Sequence, residues 1–254
     1  MIEGLVLGIV QGITEWLPIS SSGVLTLVGL TFFGHDLGTS VSMALFLHVG
    51  TFLSALVYFW KEVVFILKGG DKKVFNFLLI STIVTGVVGI PVAMLIYRSF
   101  SGLTAGVAVA LIGFFLIITG LLQLKKTEDN LRTKKDLTKN DALVGGILQG
   151  FSVLPGLSRS GLTVAGLLFR KIKDTDALKL SFLMSLPVVL GGNIILNFLD
   201  DGIELSSVSF VALFTAFIVG LLTIKTLLKI SRKINFGYFA IGFGVLTLLS
   251  LFFI

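Results

Sequence analysis

Cysteine is absent from the 254-residue sequence, and charged residues make up only 13% of it. The lack of cysteine excludes disulfides, thiolate chemistry and cysteine-based metal sites. The lack of charge excludes a soluble domain of this length, because such a domain needs a polar surface to meet water. What the sequence has instead is apolar: 55% of its residues are hydrophobic and its mean hydropathy is +1.03. Lipid must therefore be the solvent for most of the chain.

The apolar runs fall into two classes of length. Six can cross about 30 Å of hydrocarbon as helices, and they lie near 41–60, 74–97, 103–124, 180–199, 207–224 and 236–254. Four are too short to span, at 4–17, 24–34, 142–154 and 161–169. The short runs form two pairs, and a break rich in serine, glycine and proline joins each pair. Because non-helical backbone at membrane depth must be covered by protein or water, each pair predicts a re-entrant hairpin.

The two breaks resemble each other. Residues 8–23 align without gaps on residues 146–161, at an offset of 138 (149 minus 11 for the two glutamines). Gly-Ile, Gln-Gly and Ser-x-Ser-Gly recur at the same positions in both stretches. Each half has one hairpin followed by three spans, and an odd number of crossings inverts the second half relative to the first. A coincidence among common Gly, Ser and Ile residues is the alternative explanation.

This pattern predicts an all-α integral membrane protein, with six transmembrane helices plus two re-entrant helical hairpins in two inverted-topology repeats. We divide the single membrane domain 1–254 into repeat one (1–124), a cytoplasmic loop (125–140) and repeat two (141–254). The tips of the two hairpins are then expected to meet near the midplane of the bilayer.

The basic residues indicate how the chain is oriented. If the loops 61–73, 125–141, 170–179 and 225–235 share one side, that side holds 18 of the 20 basic residues. The positive-inside rule makes it the cytoplasmic side of the cell membrane. The net charge of +6 therefore mostly reflects the orientation of the chain in the membrane, and we expect no nucleic acid partner. We also expect no cleaved signal peptide, because Glu3 stands where such a peptide carries basic residues.

Two charged side chains lie inside the predicted hairpins, Glu15 in the first and Arg159 in the second. A charge within the bilayer costs several kcal/mol, so such a residue usually faces a partner or a cavity. We predict that the two converge from opposite leaflets on one polar site. A plain ion pair that holds the hairpins together is the alternative. His48, in the first full span, is either a further site residue or a residue of helix packing.

Serines and glycines surround this pair where the short helices restart, in the stretches 20–23 and 155–163. Serine hydroxyls at such positions can cap free backbone N–H groups. These N–H groups and the positive end of the helix dipole favour anions, and glycines let the backbone approach a ligand closely. Two such helix ends with an arginine between them would suit phosphate oxygens. The alternative is that both runs are simple helix breaks.

The two stretches QGITEWLPISSSG (11–23) and PGLSRSGLT (155–163) resemble the signature motifs of the undecaprenyl-diphosphate phosphatase family, the bacitracin-resistance type. The similarity extends over the whole chain, including the order of hairpins and spans. It implies hydrolysis of a polyprenyl diphosphate lipid to the monophosphate, with a divalent cation (Mg²⁺ or Ca²⁺), at a site that opens to the external face. This reaction recycles the carrier lipid on which cell-wall or surface glycans are assembled.

The resemblance implies roles for the residues that match these motifs. Glu15 would be a catalytic acid–base group or a metal ligand, Ser21 a nucleophile or phosphate ligand, and Arg159 the catalytic phosphate clamp. Ser158, Ser160 and Thr163 match the phosphate-binding second motif, and we add as substrate-binding candidates Gln11, Ser20, Ser22 and His48.

Two positions depart from the family pattern. Gln11 stands where many members have a glutamate, and Val24 stands where they typically have a histidine. Because Val24 is apolar, Glu15 or His48 must move any proton, and we favour Glu15.

Two other functions compete with the phosphatase. A transporter or flippase for polyprenyl phosphates is one, because inverted repeats also suit alternating access. A membrane scaffold without chemistry is the other. Lipid flux without chemical change would favour the transporter, and intact function in Glu15→Gln would favour the scaffold. A homodimer is compatible with each of them.

Overall fold

The structure, a computed structural model, describes residues 1–100, 104–124, 132–199, 206–231 and 235–253. All regular secondary structure in these ranges is helical, which confirms the prediction of an all-α protein. In chain order the α-helices are α1 (Ile2–Thr14), α2 (Ser21–Phe32), α3 (Leu37–Tyr58), α4 (Trp60–Leu67), α5 (Lys72–Phe100), α6 (Ala105–Leu124), α7 (Lys139–Phe151), α8 (Arg159–Phe169), α9 (Asp174–Leu199), α10 (Ser207–Ser231) and α11 (Phe236–Leu249).

Within the described ranges, five helices are long and apolar enough to cross a membrane. They are Leu37–Tyr58, Lys72–Leu95, Gly106–Leu124, Asp174–Asn193 and Ser207–Ile230. These helices correspond to the first five predicted spans, so the chain is a multi-pass membrane protein. The sixth predicted span divides into α11 and a 3₁₀ helix (Ser250–Phe253), and its apolar helix, Phe236–Phe252, is shorter than the other five.

The prediction of a loop over 61–73 is wrong for its first half, which forms α4. This helix follows α3 after a single residue, Phe59. Its Ile66 is buried and Val63 packs against the same hydrophobic core, so an apolar face holds the segment against the bundle. Of the basic residues in this region, Lys61 therefore lies within a packed helix and Lys68 directly follows it.

The four short apolar runs are the helices α1, α2, α7 and α8, as predicted. Glycines let the first helix of each pair pack tightly on a long helix from the other half of the chain. A Cβ at Gly8 of α1 would lie 2.5 Å from the Ala212 carbonyl oxygen of α10. A Cβ at Gly146 of α7 would lie 2.7 Å from the Ser81 carbonyl oxygen of α5. The two halves thus interlock rather than stand side by side.

The two breaks meet inside the protein. Ser20 at the end of the first break has φ +63°, and Gly156 in the second has φ +99°. A left-handed conformation is uncommon for a residue with a side chain and persists where the surroundings hold it. A Cβ at Gly23 would lie 3.1 Å from the Gly156 backbone nitrogen, so the breaks touch. This contact brings the first turns of α2 and α8 to one place.

Candidate active site

Serine caps begin both of the helices that meet at this point. The Ser20 hydroxyl accepts hydrogen bonds from the Gly23 N–H at 3.3 Å and from the Gly156 N–H at 3.2 Å. The Ser158 hydroxyl accepts one from the Gly161 N–H at 3.1 Å. A serine at the N-cap that bonds the third N–H of its helix explains why Ser-x-Ser-Gly occurs in both halves. Ser20 also joins the two breaks directly, which accounts for its unusual backbone.

The caps leave other N–H groups of the first turns without an acceptor. The first N–H groups of a helix have no intrahelical partner. Within the part of the chain that the structure describes, no hydrogen-bond acceptor is found for the backbone N–H groups of Ser21, Ser22, Arg159 and Ser160. Together with the helix dipoles they give this point a positive potential that suits an anion.

A cavity of about 60 Å³ lies between the two helix ends. This volume exceeds what one water molecule needs. Eight of the predicted site residues line it, namely Glu15, Ser20, Ser21, Ser22, His48, Ser158, Arg159 and Ser160. Ser152, at the end of α7, also lines it and was missed in the sequence, where it falls within the predicted apolar run 142–154; its place three residues before Pro155 is the signal that could have found it.

Glu15 is the centre of the polar contacts in this cavity. Its Oε1 pairs with the Arg159 guanidinium, and its Oε2 accepts a hydrogen bond of 2.7 Å from the Ser21 hydroxyl. His48 Nε2 lies 3.2 Å from the same Oε2. Only 6% of the Glu15 side chain is exposed, so a charge there depends on these partners. The carboxylate, the hydroxyl and the imidazole are thus arranged for proton transfer.

His48 is oriented by its own helix. Its Nδ1 lies 2.7 Å from the Ala44 carbonyl oxygen. A carbonyl can only accept, so Nδ1 carries a proton and Nε2 is the nitrogen that faces the cavity. Nε2 lies 3.4 Å from the Ser21 hydroxyl oxygen and close to Glu15. His48 therefore belongs to the polar cluster and is not a plain packing residue.

Arg159 is held from three directions. Besides Glu15, its guanidinium donates to the Ser181 carbonyl oxygen at 3.4 Å and lies 5.4 Å from the centre of the Phe182 ring. The carboxylate and the ring both attract the guanidinium and fix its direction. Its remaining N–H groups, beside the free amides of α2 and α8, are available to a ligand in the cavity.

Gln11 and Thr163 do not line the cavity. Gln11 donates through Nε2 to Glu15 Oε2 at 3.2 Å and to the Thr51 hydroxyl at 3.1 Å. The Thr163 hydroxyl lies 2.7 Å from the Arg159 carbonyl oxygen and 2.6 Å from the Ser181 hydroxyl. Both side chains are buried and support the charged pair from behind. A role in binding substrate stays a prediction for these two and for the residues inside the cavity.

The site supplies few ligands for a metal ion. In the described ranges no three His, Cys, Asp or Glu side chains come together, and Glu15 is the carboxylate that lines the cavity. Mg²⁺ is commonly bound by one or two carboxylates together with substrate phosphates and water. The donors present therefore fit a divalent cation that a substrate helps to hold, and they do not form a cage that would hold one alone.

Fold and site together define a multi-pass helical membrane protein in which a buried acid, a half-buried arginine and two helix N-termini line a polar cavity. The chain belongs to the family described as bacitracin resistance protein BacA, whose model matches residues 4–249. This assignment confirms the family resemblance that the two motifs indicated.

Curated relatives resemble the chain over almost its full length. A protein of Methanococcoides burtonii, named undecaprenyl-diphosphatase, is 43% identical and the match covers 98% of both chains. Proteins of the same name from Methanothrix thermoacetophila and Sulfurisphaera tokodaii are 37% and 33% identical. Those matches cover 97% and 98% of this chain and 95% and 99% of the relatives.

Proposed function

We propose that this chain is an undecaprenyl-diphosphatase, an enzyme that hydrolyses a polyprenyl diphosphate to the monophosphate and inorganic phosphate. Full-length similarity to proteins of that name supports the reaction. The observation that carries the proposal is the cluster of Glu15, Ser21 and Arg159 between two helix N-termini. A membrane enzyme acting on a lipid anion needs such a buried, positively biased cavity.

Substrate binding uses the positive groups of the cavity. The Arg159 guanidinium and the free N–H groups of α2 and α8 hold the diphosphate oxygens and neutralise the charge that develops during cleavage. The Ser22, Ser158 and Ser160 hydroxyls contribute further hydrogen bonds. Mg²⁺ or Ca²⁺, when bound, supplies additional charge neutralisation, with Glu15 as its protein carboxylate.

Proton transfer falls to Glu15. As the Ser21 oxygen attacks the terminal phosphorus, its proton passes to Glu15 Oε2, and the P–O bond to the lipid monophosphate breaks. Glu15 gives that proton to the departing lipid monophosphate and is a carboxylate again. Water then attacks the phosphoserine and passes one proton to Glu15, which returns it to the Ser21 oxygen as the serine P–O bond breaks and inorganic phosphate leaves. If water attacks the substrate directly, Glu15 takes the proton of that water instead. His48 Nε2, beside the same oxygen, can accept a hydrogen bond from the carboxyl group once that group is protonated.

We further propose the inverted-repeat topology, with six spans and two re-entrant hairpins. The combined length of α11 and the 3₁₀ helix after it is about 29 Å, enough for a sixth crossing.

The close contacts of glycines with neighbouring helices follow the same pattern in both halves of the chain. The contacting pairs are Gly8–Thr215, Gly12–Val219, Gly146–Val84 and Gly150–Val88. The partner positions differ by 131 in each case (215 minus 84 and 219 minus 88), which supports two related halves. In this topology the basic loops are cytoplasmic and the site opens to the external face.

The direct test is phosphate release from a polyprenyl diphosphate by the purified protein in detergent with Mg²⁺ or Ca²⁺. Arg159→Ala is the reference, because it removes the phosphate clamp. Release by the natural chain well above this variant is the expected result, and equal release from both would overturn the proposal. Flux of polyprenyl phosphate through proteoliposomes without hydrolysis would assign the chain to transport instead.

A further inference from the structure

A second and larger cavity lies where α3, α4, α9 and α10 come together. Its volume is about 630 Å³, and we call it the basic cavity. Its lining consists of Tyr58, Phe59, Lys61, Glu62, Leu178, Lys179, Phe182, Lys225, Leu228 and Lys229. None of these residues lines the catalytic cavity, so the proposed phosphatase reaction does not use them.

The charges of the basic cavity are mostly uncompensated. Four lysines line it against the single carboxylate of Glu62, which pairs with Lys179 at 2.5 Å. Lys61, Lys225 and Lys229 have no acidic partner within ion-pair distance in the part of the chain that the structure describes. Three ammonium groups that converge on one space without a counter-charge indicate an anionic ligand.

The rest of the lining is apolar, and the cavity lies beside the lipid-facing surface. Phe59, Leu178 and Phe182 are buried side chains of its wall. The neighbouring outer faces of α3 and α10 carry exposed apolar residues, with Val57 54% and Leu222 75% exposed. A ligand with a charged head and an apolar tail would satisfy the lysines and these faces at once, whereas a free ion would leave the apolar wall uncovered.

One aromatic ring separates the basic cavity from the catalytic cavity. Phe182 lines the first, and the same ring lies 5.4 Å from the Arg159 guanidinium carbon of the second. Trp16 supports Phe182 from the side, with the ring centres 5.6 Å apart. Both aromatic side chains are fully buried, so the wall between the cavities is packed. The two cavities are therefore separate binding spaces.

We propose that the basic cavity binds the phosphate headgroup of an anionic lipid, as a site distinct from the catalytic one. The lysine ammonium groups hold the phosphate oxygens, and the lipid chain lies along the apolar faces of α3 and α10. Membrane-associated lysines attract anionic lipids in this way.

Equilibrium dialysis with labelled farnesyl phosphate, a short polyprenyl monophosphate, tests this inference on the purified protein in detergent. The Arg159→Ala background weakens the catalytic site and leaves the basic cavity intact. In that background we expect saturable binding. Adding Lys225→Ala and Lys229→Ala should raise the Kd about tenfold or more.

The matched control in the same background is Lys139→Ala with Lys173→Ala, which removes two exposed lysines that do not line either cavity. It should change the Kd by less than about twofold, because diffuse surface charge is screened. Equal weakening by both lysine pairs, or loss of all saturable binding in Arg159→Ala alone, would overturn the inference. A monodisperse profile on size-exclusion chromatography establishes that each variant is folded.

Two competitors separate the sources of binding. Neither inorganic phosphate nor neutral farnesol, at the concentration of the labelled lipid, should displace it, because each supplies only half of the recognised chemistry. Displacement by inorganic phosphate would define a free-anion site, and displacement by farnesol would define an apolar site. Each result would contradict the proposal that the basic cavity binds the headgroup of an anionic lipid. Phosphate release by the Lys225→Ala, Lys229→Ala variant is measured separately, so that failure of this inference is distinguishable from failure of the phosphatase.

Discussion

Glu15 and Arg159, which are 144 positions apart in the chain, form a partly buried ion pair where the breaks of the two short helix pairs meet. Each partner has further contacts that a simple structural pair does not need. Glu15 accepts from Ser21 and faces His48, while Arg159 stands beside free amides at the start of α8. The pair therefore both joins the two halves of the chain and forms the charged centre of the site.

Replacing Ser21 tests the role of its hydroxyl. Ser21→Ala removes the group that donates to Glu15 Oε2 at 2.7 Å and lowers kcat by at least about 100-fold, if the hydroxyl is the nucleophile or aligns it. Ser185→Ala is the matched control, since among the described residues this buried serine donates to the Phe182 carbonyl of its own helix and to no other group. Its kcat should stay within about threefold of the natural chain. Steady-state phosphate release measures both, and similar kcat values for the two variants would exclude Ser21 from the reaction.

A second ionic cluster stabilises the end of the bundle away from the site. Asp141 is fully buried and accepts hydrogen bonds from Arg132, Arg170 and Thr138. Burial alone would raise the pKa of this carboxyl, but the hydrogen bonds from the two arginines and from Thr138 hold it well below its usual range. Asp141→Asn removes the buried carboxylate that the two half-buried arginines share, and we expect a loss of about 2 kcal/mol in the free energy of unfolding.

The pH dependence of this cluster follows from the direction of the pKa shift. Because the pKa of Asp141 is lower in the folded state, its contribution is present above the unfolded value of about 3.9 and is lost only as the pH falls through the folded value. The melting temperature of the natural chain should therefore exceed that of Asp141→Asn by the same margin from about pH 5 to pH 8. A margin that shrinks within this range would contradict the assignment. Phosphate release per folded molecule should not change.

Glycine contacts between α6 and α11 give a packing prediction with an internal control. A Cβ at Gly120 would lie 2.6 Å from the Gly237 carbonyl oxygen, closer than side-chain atoms approach, while a Cβ at Gly242 meets open space. Gly120→Ala should lower the melting temperature by several degrees, since the backbones must separate. Gly242→Ala should leave it unchanged or raise it slightly, because alanine is the better helix former. Thermal unfolding in detergent compares them, and equal melting temperatures would refute the close approach.

The local features of the site were readable in the sequence. Ser-x-Ser-Gly at the start of a short apolar run predicts a capped helix, and the caps by Ser20 and Ser158 follow that pattern. The approach of Glu15 and Arg159 follows from membrane physics, because each charge needs a partner at depth. The first inference depends on interactions between residues close in the chain, and the second depends on the cost of a charge in the apolar bilayer.

Features that depend on packing between distant segments were not predictable in the same way. Gln11 and Thr163 carry polar side chains at the expected positions, but the neighbouring helices α3 and α9 turn them towards supporting contacts with Thr51 and Ser181. Periodicity does not indicate which polar side chain of a short helix faces the cavity. The helix α4 was missed for a related reason. Its apolar face packs against a hydrophobic core that distant segments form, and the sequence of the helix alone does not indicate that core.

The central claim is that Glu15 acts on protons during hydrolysis, and Glu15→Gln tests it most directly. Glutamine keeps the shape of the side chain; its one carbonyl oxygen can accept from Arg159 while its amide N–H donates to the Ser21 oxygen, so folding should be preserved while the acid–base group is lost. The initial rate of phosphate release from a polyprenyl diphosphate, per folded molecule, is predicted to fall by about 10²- to 10⁴-fold. A rate within threefold of the natural chain would contradict the account.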